Sequence, residues 1–496
     1  MRNLIMPVSI GLDFGTYQTK ACVRFKRSNN IPAEYHFVPM REDKSGMDAF
    51  FLPSVISETD KGQFIYGRLL DNSQFTFSFF KIASAEDENF RLDAKLTEPK
   101  YAPERFKPYT PEFLSVVYLA YVINKIKDYV QNILRPGKSE TVRKGYLAKF
   151  QSEEYEQVTY EWTIQMGVPT EYQERYNSQR RRKFQQILYM ASELANVDNG
   201  RLTETATADT LQHRVAEIFY ELLQRFHRES VLKVREDEWK TFLHEKRLSL
   251  FPETGAGLYF LIKAEKLTKD KYYVALDIGG GSTDVSFFKV ETDNTFTYLA
   301  SKSSMIASND IGMDFFGKET SHSVLRAKLK SLFSNPLIST DPKYSAAFKH
   351  VLSKINKHVY RMFNSPQVFR RFELLNATEI YEDTTCYIYG GGALMPVAQP
   401  NPEGYLSKIE IHNNGEWHSL TTKRTYVYIR PIRELKLNEN IQPPNWEEKM
   451  DFLIVPLGLS LALSDDIITR LEKNFYTRED LKKATSFYDV RSAKWV

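Results

Sequence analysis

Two widely separated stretches of the chain share one pattern of apolar and polar positions. In residues 272–290, YYVALDIGGGSTDVSFFKV, apolar and β-branched residues flank a run of glycines. This predicts two extended strands joined by a tight turn, because glycine accepts the positive φ such a turn demands. In residues 10–23, IGLDFGTYQTKACV repeats the order of strand, Asp13, a turn around Gly15 and Thr16, and a second strand. Two such hairpins far apart predict two related lobes, each presenting one loop. Neither loop runs directly into an amphipathic helix. That separates them from the P-loop and the dinucleotide fingerprint, in which an anion sits on the helix following the strand.

The pattern elsewhere predicts a mixture of strands and helices. Residues 49–101 combine short strands (FFLPSVIS, GQFIYG) with an aromatic patch at 75–80 that ends in Lys81, a lysine that ordinary surface exposure would explain. Residues 109–134 carry apolar positions at helical spacing after a Thr-Pro start, and 158–168 alternate as a strand up to Pro169. Helical spacing resumes at 177–195. There Arg180, Arg181, Arg182 and Lys183 read as a solvated helix face, with an acidic-partner or nucleic-acid patch as the alternative. Residues 208–229 place Leu211, Val215, Phe219, Leu222 and Phe226 on one face of an inserted helix. FPETGAGLYFLIKAEK (251–266) opens a helix with Glu253 at its start, where a carboxylate caps free N–H groups.

Downstream, 310–316 read as a turn into a lysine-rich helical region, and 346–363 as a further helix. CYIYGGGALMPVA (386–398) reads as a strand ending in Gly390, Gly391 and Gly392. Residues 400–444, with Asn-Gly and Pro-Pro punctuation, read as an inserted β subdomain or an extended arm. DFLIVPLGLSLALS lines Gly458 and Ala462 along an apolar helix, and the remaining charged residues read as helical.

Composition narrows the class. A length of 496 residues exceeds one compact core, and 42% hydrophobic residues exclude overall disorder. The 67 basic and 63 acidic side chains leave a net charge of +4, which argues against a broad nucleic-acid footprint or attraction to an anionic membrane. Cys22 and Cys386 lie in apolar strand-like runs, as buried small hydrophobes of a protein in a reducing cytoplasm would. The N-terminal stretch lacks a small-residue cleavage site, and the longest apolar runs fall short of the ~20 residues that span a membrane. A soluble cytoplasmic chain is expected.

The glycine hairpin suggests its own chemistry. Backbone N–H groups of Gly279, Gly280 and Gly281 can converge on an anion, forming a phosphate nest. Asp277 and Asp284 bracket them; carboxylates repel bare phosphate, yet they suit hydrated magnesium, which keeps most of its waters. A magnesium nucleotide is the expected ligand, and an ordinary acidic β-turn is the plain alternative.

Taken in order, the Asp13 hairpin, the Glu253 helix, the Asp277 hairpin, the Gly390 cluster and the Gly458 helix resemble the five signature segments of the actin-like ATPase superfamily. The nearest likeness is to the nucleotide-binding domain of DnaK-type heat-shock chaperones. LDFGTYQTK is similar to their first phosphate loop, LDIGGGSTDVS to their second, and VPTEYQERYNSQRRRKFQQILYMASELANV to a strand and helix between them. The resemblance implies an α/β fold of two duplicated lobes with ATP or ADP and Mg2+ in the cleft. Lobe I would span 1–270, with a small subdomain at about 49–105 and a helical insertion at about 197–251. Lobe II would span 271–450, with a helical subdomain at about 317–383 and a strand-rich insertion at about 400–444. Connecting helices would occupy 451–496.

By the same resemblance Asp13 and Asp277 would serve the water-bridged magnesium. Gly15, Thr16, Tyr17, Gly279, Gly280, Gly281 and Ser282 would face the phosphates, with Gly312 beyond them, and Gly391, Gly392 and Met395 would border the adenosine. Lys81 would reach the terminal phosphate, Glu253 would position water, and Asp284 would orient or deprotonate it. The chain also departs from the chaperones. Tyr17 replaces a threonine, Pro252-Glu253 inverts their Glu-Pro order in the manner of plasmid-segregation actins, and the sequence stops where their peptide-binding domain would follow. The implied function is a slowly hydrolysing ATP switch that shows its state to protein partners through 197–251 and 400–444. The alternatives are a polymerising actin-like protein, a small-molecule kinase and a nucleotide-sensing scaffold without turnover.

Overall fold

A computed structural model describes residues 2–25, 33–70, 75–85, 106–134, 155–169, 172, 178–197, 202–263, 267–293, 296–317, 322–333, 335, 337–363, 384–390, 408–411, 425–431, 441–442 and 450–461. The protein is a mixed α/β structure built on two large sheets. The first contains β1 (Arg2–Phe14), β2 (Gln18–Phe25), β3 (Glu34–Phe37), β8 (Tyr155–Val168), β9 (Leu248–Pro252) and β16 (Ile441–Gln442), in the order β16-β3-β2-β1-β8-β9. A short strand, β4 (Leu52–Pro53), pairs beside β2. The second sheet contains β10 (Lys271–Ile278), β11 (Thr283–Val290), β12 (Phe296–Ser304), β13 (Thr385–Tyr389), β14 (Lys408–Ile411) and β15 (Thr425–Pro431), in the order β12-β11-β10-β13-β15-β14. A third, small sheet orders as β6-β5-β7 from β5 (Val55–Glu58), β6 (Phe64–Tyr66) and β7 (Phe75–Ser78).

The two large sheets repeat one pairing scheme. In the first, β3, β2 and β1 are antiparallel neighbours, and β8 and β9 then continue parallel to β1. In the second, β12, β11 and β10 are antiparallel, and β13 and β15 continue parallel. Parallel strands need both faces covered, which explains why β1 buries Val8, Ile10 and Leu12 together with Ser9 and Asp13.

Helices supply that cover. α1 (Phe80–Ala85), α2 (Pro111–Leu134), α3 (Ser178–Leu194), α4 (Leu202–Thr205), α5 (Ala208–Phe226) and α6 (Glu236–Glu245) follow on the chain between β7 and β9. Buried residues of α2, α3, α5 and α6 share one core with β1 and β8. α8 (Ser308–Phe316), α9 (His322–Phe333) and α10 (Pro342–Phe363) form a second core with β10 and β11. Between the sheets lie α7 (Glu253–Lys263) and α11 (Met450–Ser460), whose apolar residues share a third core with Phe37 of the first sheet and with Ala275 and Tyr389 of the second. Backbone meets backbone in this layer. A Cβ on Gly458 would lie 1.8 Å from the Ala256 carbonyl oxygen, and one on Gly11 would lie 2.1 Å from that of Pro456.

Both expected hairpins form, as do the helices expected at 109–134 and 208–229. Two expectations are corrected. Arg180, Arg181 and Arg182 are buried, not a solvated face. Arg180 donates to the Ala85 carbonyl (3.0 Å), and Arg182 to the Val234 carbonyl (3.2 Å) and to Glu236 (3.0 Å), which Arg181 also reaches. Their aliphatic stems pack while their planar heads find carbonyls and a carboxylate. Residues 310–316 are not a turn but most of α8, which begins where the Ala307 N–H donates to the Asp310 carboxylate (2.7 Å). Within 400–444 the described strands pair with the large sheets: β15 lies parallel to β13, β14 closes that edge, and β16 pairs with β3. β9, inside the expected helical insertion, is likewise a sheet strand.

Burial pushes the Cys22 thiol up to about 12 and raises that of Cys386, so both stay protonated packing groups. Among the described residues no helix is long and apolar enough to cross a membrane.

Candidate functional site

The two hairpin turns face each other. In the first, Asp13 at the end of β1 lies in register with Lys20 of β2, and their side chains pair at 2.5 Å. The turn is pinned from outside: Ser54 Oγ donates to the Gly15 carbonyl (2.6 Å), and Ser54 N–H donates to that of Tyr17 (2.9 Å). Only glycine fits at position 15, where a Cβ would lie 2.2 Å from the Gln18 carbonyl oxygen.

In the second hairpin Asp277 and Asp284 lie opposite each other, and the Gly279 N–H donates to the Ser282 carbonyl at 2.8 Å. The start of α8 holds the outer side of this turn. Ser308 donates to the Gly279 carbonyl through N–H (3.1 Å) and Oγ (2.8 Å), and the Asn309 N–H donates to the Gly280 carbonyl (3.3 Å). A trans peptide points its N–H opposite to its C=O. The N–H groups of Gly280 and Gly281 are therefore turned away from α8, as an anion nest requires.

These glycines also abut the first turn. A Cβ on Gly280 would stand 2.8 Å from Tyr17 Cδ2; one on Gly281 would stand 2.6 Å from Tyr17 Cε2 and 3.0 Å from Thr16 Cγ2. Gly390, directly after β13, has φ of +78°, and a Cβ there would lie 2.3 Å from Asp277 Oδ1. The chain thus passes directly over that carboxylate.

Below the turns, Lys81 from α1 donates to Glu253 Oε1 at 2.8 Å, and its ammonium lies 5.6 Å from the centre of the Phe14 ring. Both partners are buried, at 6% and 7% exposure. α7, which carries Glu253 in its first turn, is fastened to the second sheet. Thr254 and Ser286 hydroxyls meet at 2.7 Å, and Tyr389 OH donates to the Thr254 carbonyl at 3.0 Å.

Four carboxylates and two ammonium groups therefore share one region, with Asp13, Asp284, Glu253 and Lys81 buried and Asp277 and Lys20 half-buried. Burial raises Asp277 to about 7, with the charges of Glu253 and Asp13 adding and those of Lys20 and Lys81 opposing. Burial also holds Asp284 well above the usual carboxylate range, with Glu253 adding and a hydrogen bond from Ser303 opposing. Glu253 is raised by burial against the pull of Lys81. Burial alone would lower Lys20, but Asp13, through charge and hydrogen bond, raises it. Carboxylates outnumber ammonium groups here, and Asp277, Asp284 and Glu253 resist ionising in this setting.

Among the described residues no three His, Cys, Asp or Glu side chains stand together as direct ligands for a metal ion. Carboxylate oxygens are the hard donors that a divalent cation such as magnesium takes, directly or through its waters.

The sequence-predicted residues divide accordingly. Asp13, Gly15, Thr16, Tyr17, Lys81, Glu253, Asp277, Gly279, Gly280, Gly281, Ser282 and Asp284 lie on or beside the facing turns. Gly312 does not. It sits inside α8, where a Cβ would meet Leu329 and Leu325 of α9 at 2.8 and 2.9 Å, so helix packing accounts for it. Gly391, Gly392 and Met395 lie outside the described residues. Sequence reasoning missed Lys20, although a hairpin closing at the Gly15 turn puts it opposite Asp13. It also missed Ser308 and Asn309, which a Ser-Asn-Asp helix start could have signalled. No family model and no curated protein matches the chain.

Proposed function

We propose that the chain is a magnesium-dependent, slowly hydrolysing ATP switch of the actin-like ATPase type, with two duplicated α/β lobes that close on the nucleotide. The observation that carries this reading is the meeting of two glycine turns, each with an aspartate at the adjoining strand end, above the buried Lys81–Glu253 pair. The repeated pairing scheme of the two large sheets supports the duplication.

The nest amides of Gly280 and Gly281 would bind phosphate oxygens, and Lys20 and Lys81 would offset their charge. Bound magnesium would contribute charge neutralisation and orientation of the phosphates, with Asp13 and Asp277 accepting hydrogen bonds from its waters. Asp284, oriented by Ser303, would hold the attacking water and take its proton; its raised pKa makes it the stronger base once ionised. Lys81 would stabilise the transferred phosphoryl group after releasing Glu253, and the cost of parting a buried ion pair favours slow turnover. Partners would read the state through the helices of 197–251.

The test is phosphate release from MgATP by wild type, Lys81→Ala and Asp284→Asn. Slow release by wild type and a loss of tenfold or more in both variants is expected for groups of this kind. Equal, near-zero release in all three would replace the switch with a nucleotide-sensing scaffold. ATP-dependent pelletable filaments would replace it with a polymerising protein.

A further inference from the structure

Resting on the nucleotide reading above, we infer that Tyr17 is a positioning residue, a latch that joins both phosphate turns to the helix carrying Lys81 and competes with phosphate for the second turn. Three contacts place it. Its ring lies against the faces of Gly280 and Gly281, where any Cβ would come within 2.8 Å of it. Its edge meets the Phe79 ring at 89°, with centroids 5.2 Å apart. It packs with Met305 against the small apolar cluster of Phe79 and Ile82.

Phe79 and Ile82 flank Lys81 in sequence, and the Phe79 carbonyl accepts the Ala83 N–H in the first turn of α1. Phe79 also has φ of +65°, a left-handed conformation that a bulky residue adopts only where its surroundings hold it. Tyr17 is one of those surroundings. The ring therefore touches the second turn on one side and the start of the Lys81 helix on the other.

A polyphosphate held by both turns at once must pass between them, where the ring stands. Uptake then requires the ring to swing aside, and that movement removes a packing partner from Phe79. Lys81 gains freedom to leave Glu253 at the moment a phosphate arrives to replace it. A threonine at position 17 would be too short for either contact. The latch also assigns the lack of side chains at Gly280 and Gly281 a role besides anion binding, because both glycines make room for the ring.

The experiment uses the full chain with Tyr17→Ala, Tyr17→Thr and Tyr17→Phe. Hydrogen exchange without nucleotide should accelerate about fivefold at both 79–85 and 279–282 in the alanine and threonine variants, the usual strength of one edge-to-face aromatic contact expressed as a ratio. Calorimetric MgATP affinity should rise by a similar factor, with KM for ATP falling more than kcat changes. Tyr17→Phe, which keeps the ring, should retain wild-type exchange at both segments. Unchanged exchange at either segment in both shortened variants overturns the latch, and so does weaker MgATP binding by them. If MgATP binds neither wild type nor variant, the nucleotide reading fails, and the exchange rates alone decide whether Tyr17 couples the two segments.

Discussion

The Lys81 ammonium donates to a carboxylate oxygen of Glu253 at 2.8 Å, across 172 residues of chain, and both residues are buried. Removing one member of such a pair strands the other's charge, which typically costs about 3–5 kcal/mol. Lys81→Met should therefore lower stability in urea unfolding by about 3 kcal/mol. Adding Glu253→Gln should restore most of it, because the stranded carboxylate is gone. A double variant no more stable than the single would show that the pair does not govern the site's electrostatics.

Asp277 titrates near 7 in the folded chain, against the ordinary carboxylate range when unfolded. Between roughly pH 4 and 7 the folded state then binds more protons than the unfolded state, so unfolding free energy falls as pH rises through that window and levels off above it. Partial solvent contact of Asp277 screens the effect. Asp277→Asn should stabilise the ligand-free chain by about 2 kcal/mol at pH 8 and by little at pH 5, as read from paired denaturation curves. A stability difference independent of pH would contradict the shift.

The layer between the sheets depends on glycines of two kinds. Gly458→Ala drives a methyl group to 1.8 Å from the Ala256 carbonyl oxygen and should cost about 3 kcal/mol or prevent folding. Gly257→Ala meets only Ile454 and Tyr389 side-chain atoms at 3.5 Å and should be neutral or stabilising by up to ~1 kcal/mol, since alanine suits a helix better. Thermal midpoints of the two variants separate these outcomes directly.

Arg182 ties α3 to the following helices through Glu236 and the Val234 carbonyl, with its guanidinium 5.5 Å from the centre of the Trp239 ring. Arg182→Ala should cost about 2–3 kcal/mol, and Arg182→Lys should recover little of it, because an ammonium cannot reproduce the planar fork. MgATP affinity should stay unchanged in both variants. A loss of affinity at full occupancy of the folded state would tie these arginines to the ligand site instead.

Legibility in the sequence followed the range of the interactions involved. The two hairpins were readable because apolar alternation and a glycine turn are local signals, and they brought Asp13, Asp277 and Asp284 to strand ends by register alone. The pairing of Lys81 with Glu253 was not readable, since nothing local links residues so far apart. The arginines at 180–182 misled because charge suggests exposure, whereas their partners, Ala85, Val234 and Glu236, come from other elements. The place of the strands at 408–411 and 425–431 was not readable because β15 pairs with distant β13 and β14 with β15, and β-pairing across distant segments leaves no periodic trace. Tyr17 was visible as a departure from a familiar loop, but its contact with Gly280 and Gly281 required the two turns to be placed face to face.

The central claim is that the facing turns bind a magnesium nucleotide, and titration calorimetry of the full chain with ATP tests it most directly. The account predicts one site per chain with magnesium present, binding weakened at least tenfold by chelation of the metal, and a comparable loss in Asp13→Asn and Asp277→Asn chains of unchanged fold. Absence of binding to the folded wild-type chain, or equal affinity with and without magnesium, would contradict it.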